Sequence, residues 1–132
     1  GGASSAEIIA SKKDIFDLSV TLPDVLVAIS QQAYDKYCKK TKKDTLIILD
    51  SSQIKTESIP DSEDVHAFPF TRLVREELGT TLPTNICFLG ALVAISKIVN
   101  IDSIKKAILN RVPEKSGSIN LKAFELGYSL IK

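Results

Sequence analysis

A chain of 132 residues, 44% hydrophobic and 25% charged, is long enough to bury a real core and too apolar to be disordered throughout. Seventeen basic against sixteen acidic side chains leave a net charge of +1, without the basic excess of a nucleic-acid binder. The uncharged stretch from Thr80 to Ser96 holds Pro83 and Asn85, and its apolar heart, Ile86 to Ile95, is too short to span a bilayer. Nothing at the start resembles a signal peptide, since it reads GGASSAE. Cys38 and Cys87 lie 49 residues apart among apolar or helix-forming neighbours, which suits buried thiols in a reducing cytoplasm and gives no metal or iron–sulfur spacing. A soluble cytoplasmic domain is expected. The absence of methionine and the Gly1-Gly2 opening fit a trimmed start or a fragment of a longer polypeptide.

Ala6 to Ala10 reads as a short strand closed by the turn Ser11–Asp14. After Pro23-Asp24, Val25 to Ile29 is apolar at every position, the pattern of a strand buried on both faces in a parallel sheet. Ser30-Gln31-Gln32 opens a helix whose inward stripe is Ala33, Tyr34, Tyr37 and Cys38. Its end carries Lys39, Lys40, Lys42 and Lys43, favourable against the negative end of the helix dipole. Thr45 to Leu49 repeats the buried-strand pattern and ends in Asp50-Ser51-Ser52, which completes a βαβ unit.

Residues 55–64, with Pro60, read as a loop, and Val65 to Phe68 as a short edge strand. Pro69 suits the start of a helix that Gly79 stops. The helix from Pro83 to Val99 reads as apolar on all sides: Ile86, Leu89, Val93 and Lys97 form one stripe, Phe88, Leu92, Ile95 and Val99 the opposite one. It must therefore be covered, by the C-terminal helices or by another subunit. Gly90 inside it points to close packing against another backbone. Ile101, Ile104, Ile108 and Val112 line one further helix, and Leu121, Phe124, Tyr128 and Ile131 another. The expected fold is a single α/β domain over residues 1–132: a Rossmann-like, open, mostly parallel sheet with helices on both faces and a helical C-terminal part.

Side chains able to do chemistry are few. His66 is the sole histidine and has no partner at ligand spacing; neither cysteine sits in a CxxC; no GxSxG, GxGxxG or GxxxxGK[ST] occurs. No catalytic or metal residue is assigned. Ligands of open α/β sheets lie beyond the carboxyl ends of the strands, where Ser30-Gln31 and Asp50-Ser51 stand here. Ser30 either caps its helix or faces a ligand, and Asp50 either forms a turn or does the same. Asn85 is placed to cap its helix or to reach a neighbouring element. The lysine cluster is a solvated helix end or a docking point for an acidic partner such as ferredoxin.

The order PDVLVAISQQAYDKY, TLIILDSS, AFPFTRLVREELG, TNICFLGAL and NLKAFELGY resembles the gamma subunit of 2-oxoacid:ferredoxin oxidoreductases over nearly the whole chain. Gly1 to Glu7 resembles the stretch after that family's Arg-Gly-Gly loop, more in its 2-oxoglutarate than its pyruvate form. The resemblance implies a component of a thiamine-diphosphate enzyme that converts a 2-oxoacid and CoA into acyl-CoA and CO2 and reduces ferredoxin. Thiamine diphosphate, Mg and iron–sulfur clusters would belong to the complex, and this chain would bind none of them. Its expected partners are the alpha, beta and ferredoxin-like delta subunits, with no nucleic acid or membrane. The gamma part is associated with coenzyme A access, which makes Ser30, Gln31 and Asn85 candidates for a CoA-side crevice. The family's N-terminal strand, its GxGGQG-type turn and the next αβ unit have no counterpart here, so the sheet is expected to lack a central strand beside Val25–Ile29. The alternative to an enzyme component is a non-catalytic α/β binding or scaffold module.

Overall fold

The computed structural model describes residues 4–59 and 64–131. Gly1–Ala3 of the resembling start and Pro60 of the polar loop lie outside the described residues. Three strands, β1 (Val25–Ala28), β2 (Leu46–Asp50) and β3 (Val65–Phe68), form one sheet in the order β1-β2-β3. Both pairings are parallel: Val25 stands opposite Leu46 and Ala28 opposite Leu49, while Ile47 faces Val65 and Asp50 faces Phe68. Among the described residues, α1 (Gln31–Tyr37) joins β1 to β2, and α2 (Phe70–Leu78), α3 (Thr84–Ser96), α4 (Ile101–Arg111) and α5 (Gly117–Ser129) follow β3.

The unbroken apolar runs of β1 and β2 are explained by cover on both sheet faces. Ile47 and Leu49 point to one face, where they pack with Ala28, Ile54 and Tyr34 of α1. Ile48 points to the other, against Phe70 and Val74 of α2, Cys87, Phe88 and Ala91 of α3, and Ala123 of α5. Phe70 and Phe88 stack with ring centroids 4.0 Å apart, tying α2 to α3.

Helix α3 is the centre of the C-terminal half. Its Cys87, Phe88 and Ala91 meet the sheet side, and Val93 joins Ile108 of α4 and Phe124 of α5 in a separate cluster. An all-apolar helix is thus sandwiched rather than peripheral. The sheet and α2 cover its other face, where Phe70 and Val74 pack beside Ile48. Two glycines set how closely α3 and α5 approach. A Cβ on Gly90 would lie 2.1 Å from the Phe124 carbonyl oxygen, and one on Gly127 1.8 Å from that of Cys87. The inferred backbone contact at Gly90 is present and is matched by a second at Gly127.

The helix boundaries follow local chemistry. Gly79 ends α2 with φ +70°, a conformation that glycine adopts without a Cβ clash, and its N–H donates to the Arg75 carbonyl. Asn100 caps α4 by accepting from the N–H groups of Asp102 and Ser103. Thr45 is buried at the start of β2, where its hydroxyl accepts from the Lys42 N–H and donates to the Pro23 carbonyl.

The expected strand at Ala6–Ala10 does not form. A strand needs a neighbour to hold its N–H and C=O groups, and residues 6–10 pair with no strand among the described residues. They instead belong to a looped arm, closed where the Val20 N–H donates to Glu7 Oε2 at 3.0 Å. The arm leaves Phe16 91% and Leu18 90% exposed.

Candidate functional site

The carboxyl ends of the strands gather the polar residues that could face a ligand. Ser30 stands just beyond β1 in an extended conformation, and its hydroxyl oxygen accepts from the Ala33 N–H at 3.2 Å, which makes it the N-cap of α1. Gln31, the first residue of α1, binds in two directions. Its amide nitrogen donates to Asp35 at 2.8 Å, and its amide oxygen accepts from the Lys55 N–H at 2.8 Å. This side chain therefore links the start of α1, at the carboxyl end of β1, to the loop after β2.

Asp50 ends β2 and is fully buried. One carboxylate oxygen accepts from the N–H and hydroxyl of Ser52 at 2.9 and 2.6 Å. The other accepts from the N–H and hydroxyl of Thr71 at 2.9 and 2.5 Å. Four hydrogen bonds and the positive end of α2 stabilise the buried charge. Because Pro69 at the start of α2 makes no side-chain cap, Asp50 does that work from the neighbouring strand. A carboxylate with both oxygens doubly bonded is a joint between sheet and helix, not a free base. Its charge also reaches Cys87, whose thiol is pushed up to about 12 by burial first and by Asp50 second. Cys87 is thus an inert core thiol, as its apolar setting suggests.

Asn85 is exposed in the first turn of α3 and makes no hydrogen bond among the described residues, so it does not cap that helix. The turn is closed instead by the Thr84 hydroxyl donating to the Thr81 carbonyl at 2.7 Å. Ser30 and Gln31 start the helix on one sheet face and Asn85 sits in the helix on the other. The first two are adjacent at the start of α1, and no hydrogen bond joins Asn85 to them among the described residues. Ser52 and Thr71 are the residues that sequence reading missed. Their signal was indirect: a buried strand ending in Asp50, and beyond the next strand a helix that opens Pro-Phe-Thr with no capping side chain of its own.

Among the described residues, no three His, Cys, Asp or Glu side chains stand together to hold a metal ion. His66 lies half-buried within β3, opposite Ile48. No helix is long and apolar enough among the described residues to cross a membrane.

Comparison with known proteins supplies what the geometry leaves open. The family model for pyruvate ferredoxin/flavodoxin oxidoreductase matches residues 1–130. Across its full length the chain is 39% identical to the 2-oxoglutarate synthase subunit KorC of Methanocaldococcus jannaschii, of which it spans 71%. The gamma subunit of the keto/oxoacid ferredoxin oxidoreductase of Geobacter sulfurreducens superposes with a TM-score of 0.74 at 33% identity, over 80% of this chain and 62% of that one. A 2-oxoglutarate:ferredoxin oxidoreductase chain of Magnetococcus marinus, solved with 2-oxoglutarate, coenzyme A and succinyl-CoA bound, matches with a TM-score of 0.66 at 26% identity, over 82% of this chain and 19% of that one. The three-stranded parallel sheet with its helical C-terminal part is thus the fold of a known gamma subunit. By sequence and by fold, the chain belongs to the pyruvate ferredoxin/flavodoxin oxidoreductase family, whose relatives here are subunits of 2-oxoacid:ferredoxin oxidoreductase complexes.

Proposed function

We propose that this chain is the gamma component of a 2-oxoacid:ferredoxin oxidoreductase that acts on 2-oxoglutarate in the cytoplasm, works with alpha, beta and delta partners, and has no active site of its own. The 39% identity to a 2-oxoglutarate synthase subunit, sustained over the whole chain, carries this reading. Thiamine diphosphate, Mg and the iron–sulfur clusters belong, in this reading, to the partner subunits, and no step of their chemistry runs through residues described here.

The chain's own contribution is to help admit coenzyme A at the strand-end crevice. Gln31 uses one amide proton on Asp35 and one lone pair on the Lys55 N–H. One further donor and one further acceptor remain for a ligand, and the Ser30 hydroxyl keeps its proton free to donate. The Gln31 amide is also held from two sides, so little rotamer freedom is lost when it takes a third partner. Asn85, exposed on the other face, is the outer candidate contact.

The test is the purified complex, assayed with several 2-oxoacids, CoA and ferredoxin. Highest kcat/KM on 2-oxoglutarate is expected, and the isolated chain is expected to be inactive; turnover by the isolated chain would refute the subunit reading. Gln31→Ala is expected to raise the KM for CoA while decarboxylation without CoA stays unchanged. An unaltered CoA dependence with lower thermal stability would reduce Ser30 and Gln31 to structural roles.

A further inference from the structure

Residues 35–44 carry five lysines against Asp35 and Asp44, on a chain whose total charge is only +1. They form the end of α1, the 3-10 turn Cys38–Lys40 and the approach to β2. Lys42 is paired with Asp24 at 2.5 Å; Lys36, Lys39, Lys40 and Lys43 have no ion-pair partner among the described residues, and all four are exposed. Two of these cations are also positioned. The Lys36 and Lys40 ammonium groups lie 5.0 and 5.8 Å from the centre of the Tyr37 ring, which attracts cations to its face. The phenol of that ring is held below the usual tyrosine range first by its hydrogen bond with Ser5 and then by Lys36. The helix C-terminus accounts for one or two such charges, since its field acts only over the last turn. It does not account for four unpaired lysines with two of them stacked on one ring.

We infer that this lysine face docks the acidic electron-carrier protein that the complex reduces, an inference that rests on the functional reading above. The complementarity follows from the carrier's chemistry: an iron–sulfur centre ligated by four thiolates, or a flavin phosphate, is anionic, and the surface around it presents negative potential. Opposed charge patches raise encounter rates and select partners, and they do so at rim positions without deep burial. The location is also compatible with catalysis. Helix α1 runs from the carboxyl end of β1 towards the start of β2, so the lysines that follow it lie towards the amino ends of the strands, away from Ser30 and Gln31. A docked carrier leaves the strand-end crevice open.

The experiment compares the assembled complex with one carrying Lys36→Gln, Lys39→Gln, Lys40→Gln and Lys43→Gln together. Each is assayed with a purified acidic ferredoxin and with a small dye acceptor, at low and high salt. The variant is expected to raise the KM for ferredoxin about five- to tenfold at low salt and to flatten its salt dependence. Dye reduction and the KM values for the 2-oxoacid and CoA are expected to stay unchanged, and the matching Lys→Arg set to behave as wild type. An unaltered ferredoxin KM and salt slope overturns the docking inference alone. Equal loss with both acceptors also overturns it, since that marks damage to the enzyme. A wild-type complex that reduces neither acceptor overturns the functional reading, and the docking inference falls with it.

Discussion

Gly127→Ala tests whether the contact of α3 with α5 sets the stability of the C-terminal half. Helix propensity alone favours alanine over glycine by about 1 kcal/mol. The new Cβ would lie 1.8 Å from the Cys87 carbonyl oxygen and 2.7 Å from its carbonyl carbon, both backbone atoms that no side-chain rotation can move. Ordinary contact begins at 3.4 Å, so the helices must part by the difference, 1.6 Å at that point. Parting them loosens Phe124, Ala123 and Ala91, all fully buried. Overpacking of this kind costs about 3 kcal/mol or more, against the 1 kcal/mol gained, for a net loss of about 2 kcal/mol or more. For a domain of this size the melting temperature should fall by about 7 °C. Gly117→Ala is the control, because its Cβ meets only the tip of Leu109 at 3.0 Å, which can turn aside. Thermal and urea unfolding followed by circular dichroism read both variants. A Gly127→Ala protein as stable as Gly117→Ala would refute the close-approach account.

Asp50→Asn should cost about 2–4 kcal/mol, because its NH2 group would face either the two Ser52 donors or the two Thr71 donors; a urea midpoint within error of wild type would contradict the joint described for this residue. Cys87 should resist alkylation near pH 8 in the folded chain and react fully in denaturant, with half-buried Cys38 labelled first, as mass spectrometry of timed samples would show. Its thiol is raised from 9.0 to about 12, so above pH 9 the unfolded chain loses that proton while the folded chain keeps it. Stability should therefore decline as pH rises from 9 towards 12, and Cys87→Ala should remove that part of the decline, readable from urea titrations across this window. The isolated chain should self-associate in light scattering through Phe16, Leu18 and the unpaired edge of β1, and Phe16→Ser with Leu18→Ser should reduce this; a monodisperse wild-type monomer would count against it.

Much of the fold was legible because period and punctuation agreed. The non-alternating runs at Val25 and Leu46 announced strands covered on both faces, and Gly79 and Pro69 marked the limits of α2. Gly90 signalled a close backbone, whereas Gly127 did not, because it sits near a helix end where glycine has several uses. The strand expected at Ala6–Ala10 failed for a different reason. Its residues favour β structure, but a strand is a property of two segments, and no second segment pairs with it among the described residues. Within the site, Ser30 as a cap was readable from its position before a helix. The reach of Gln31 to Lys55 and of Asp50 to Thr71 was not, since each joins residues more than 20 apart that only the parallel pairing of β1, β2 and β3 brings together.

The sandwiching of α3 bears on how the chain leaves the ribosome. Helix α3 is complete at Ser96, yet the residues that cover its far side, Phe124 and Gly127, come about 30 positions later. At ordinary synthesis rates of about 5–20 residues per second, that leaves a wholly apolar helix without its cover for about 1.5 to 6 seconds. The sheet and α2 can shield one side in that interval, because every strand precedes α3 in the chain. The other side waits for α5, so nascent chains should engage chaperones most strongly once α3 has emerged and α5 has not.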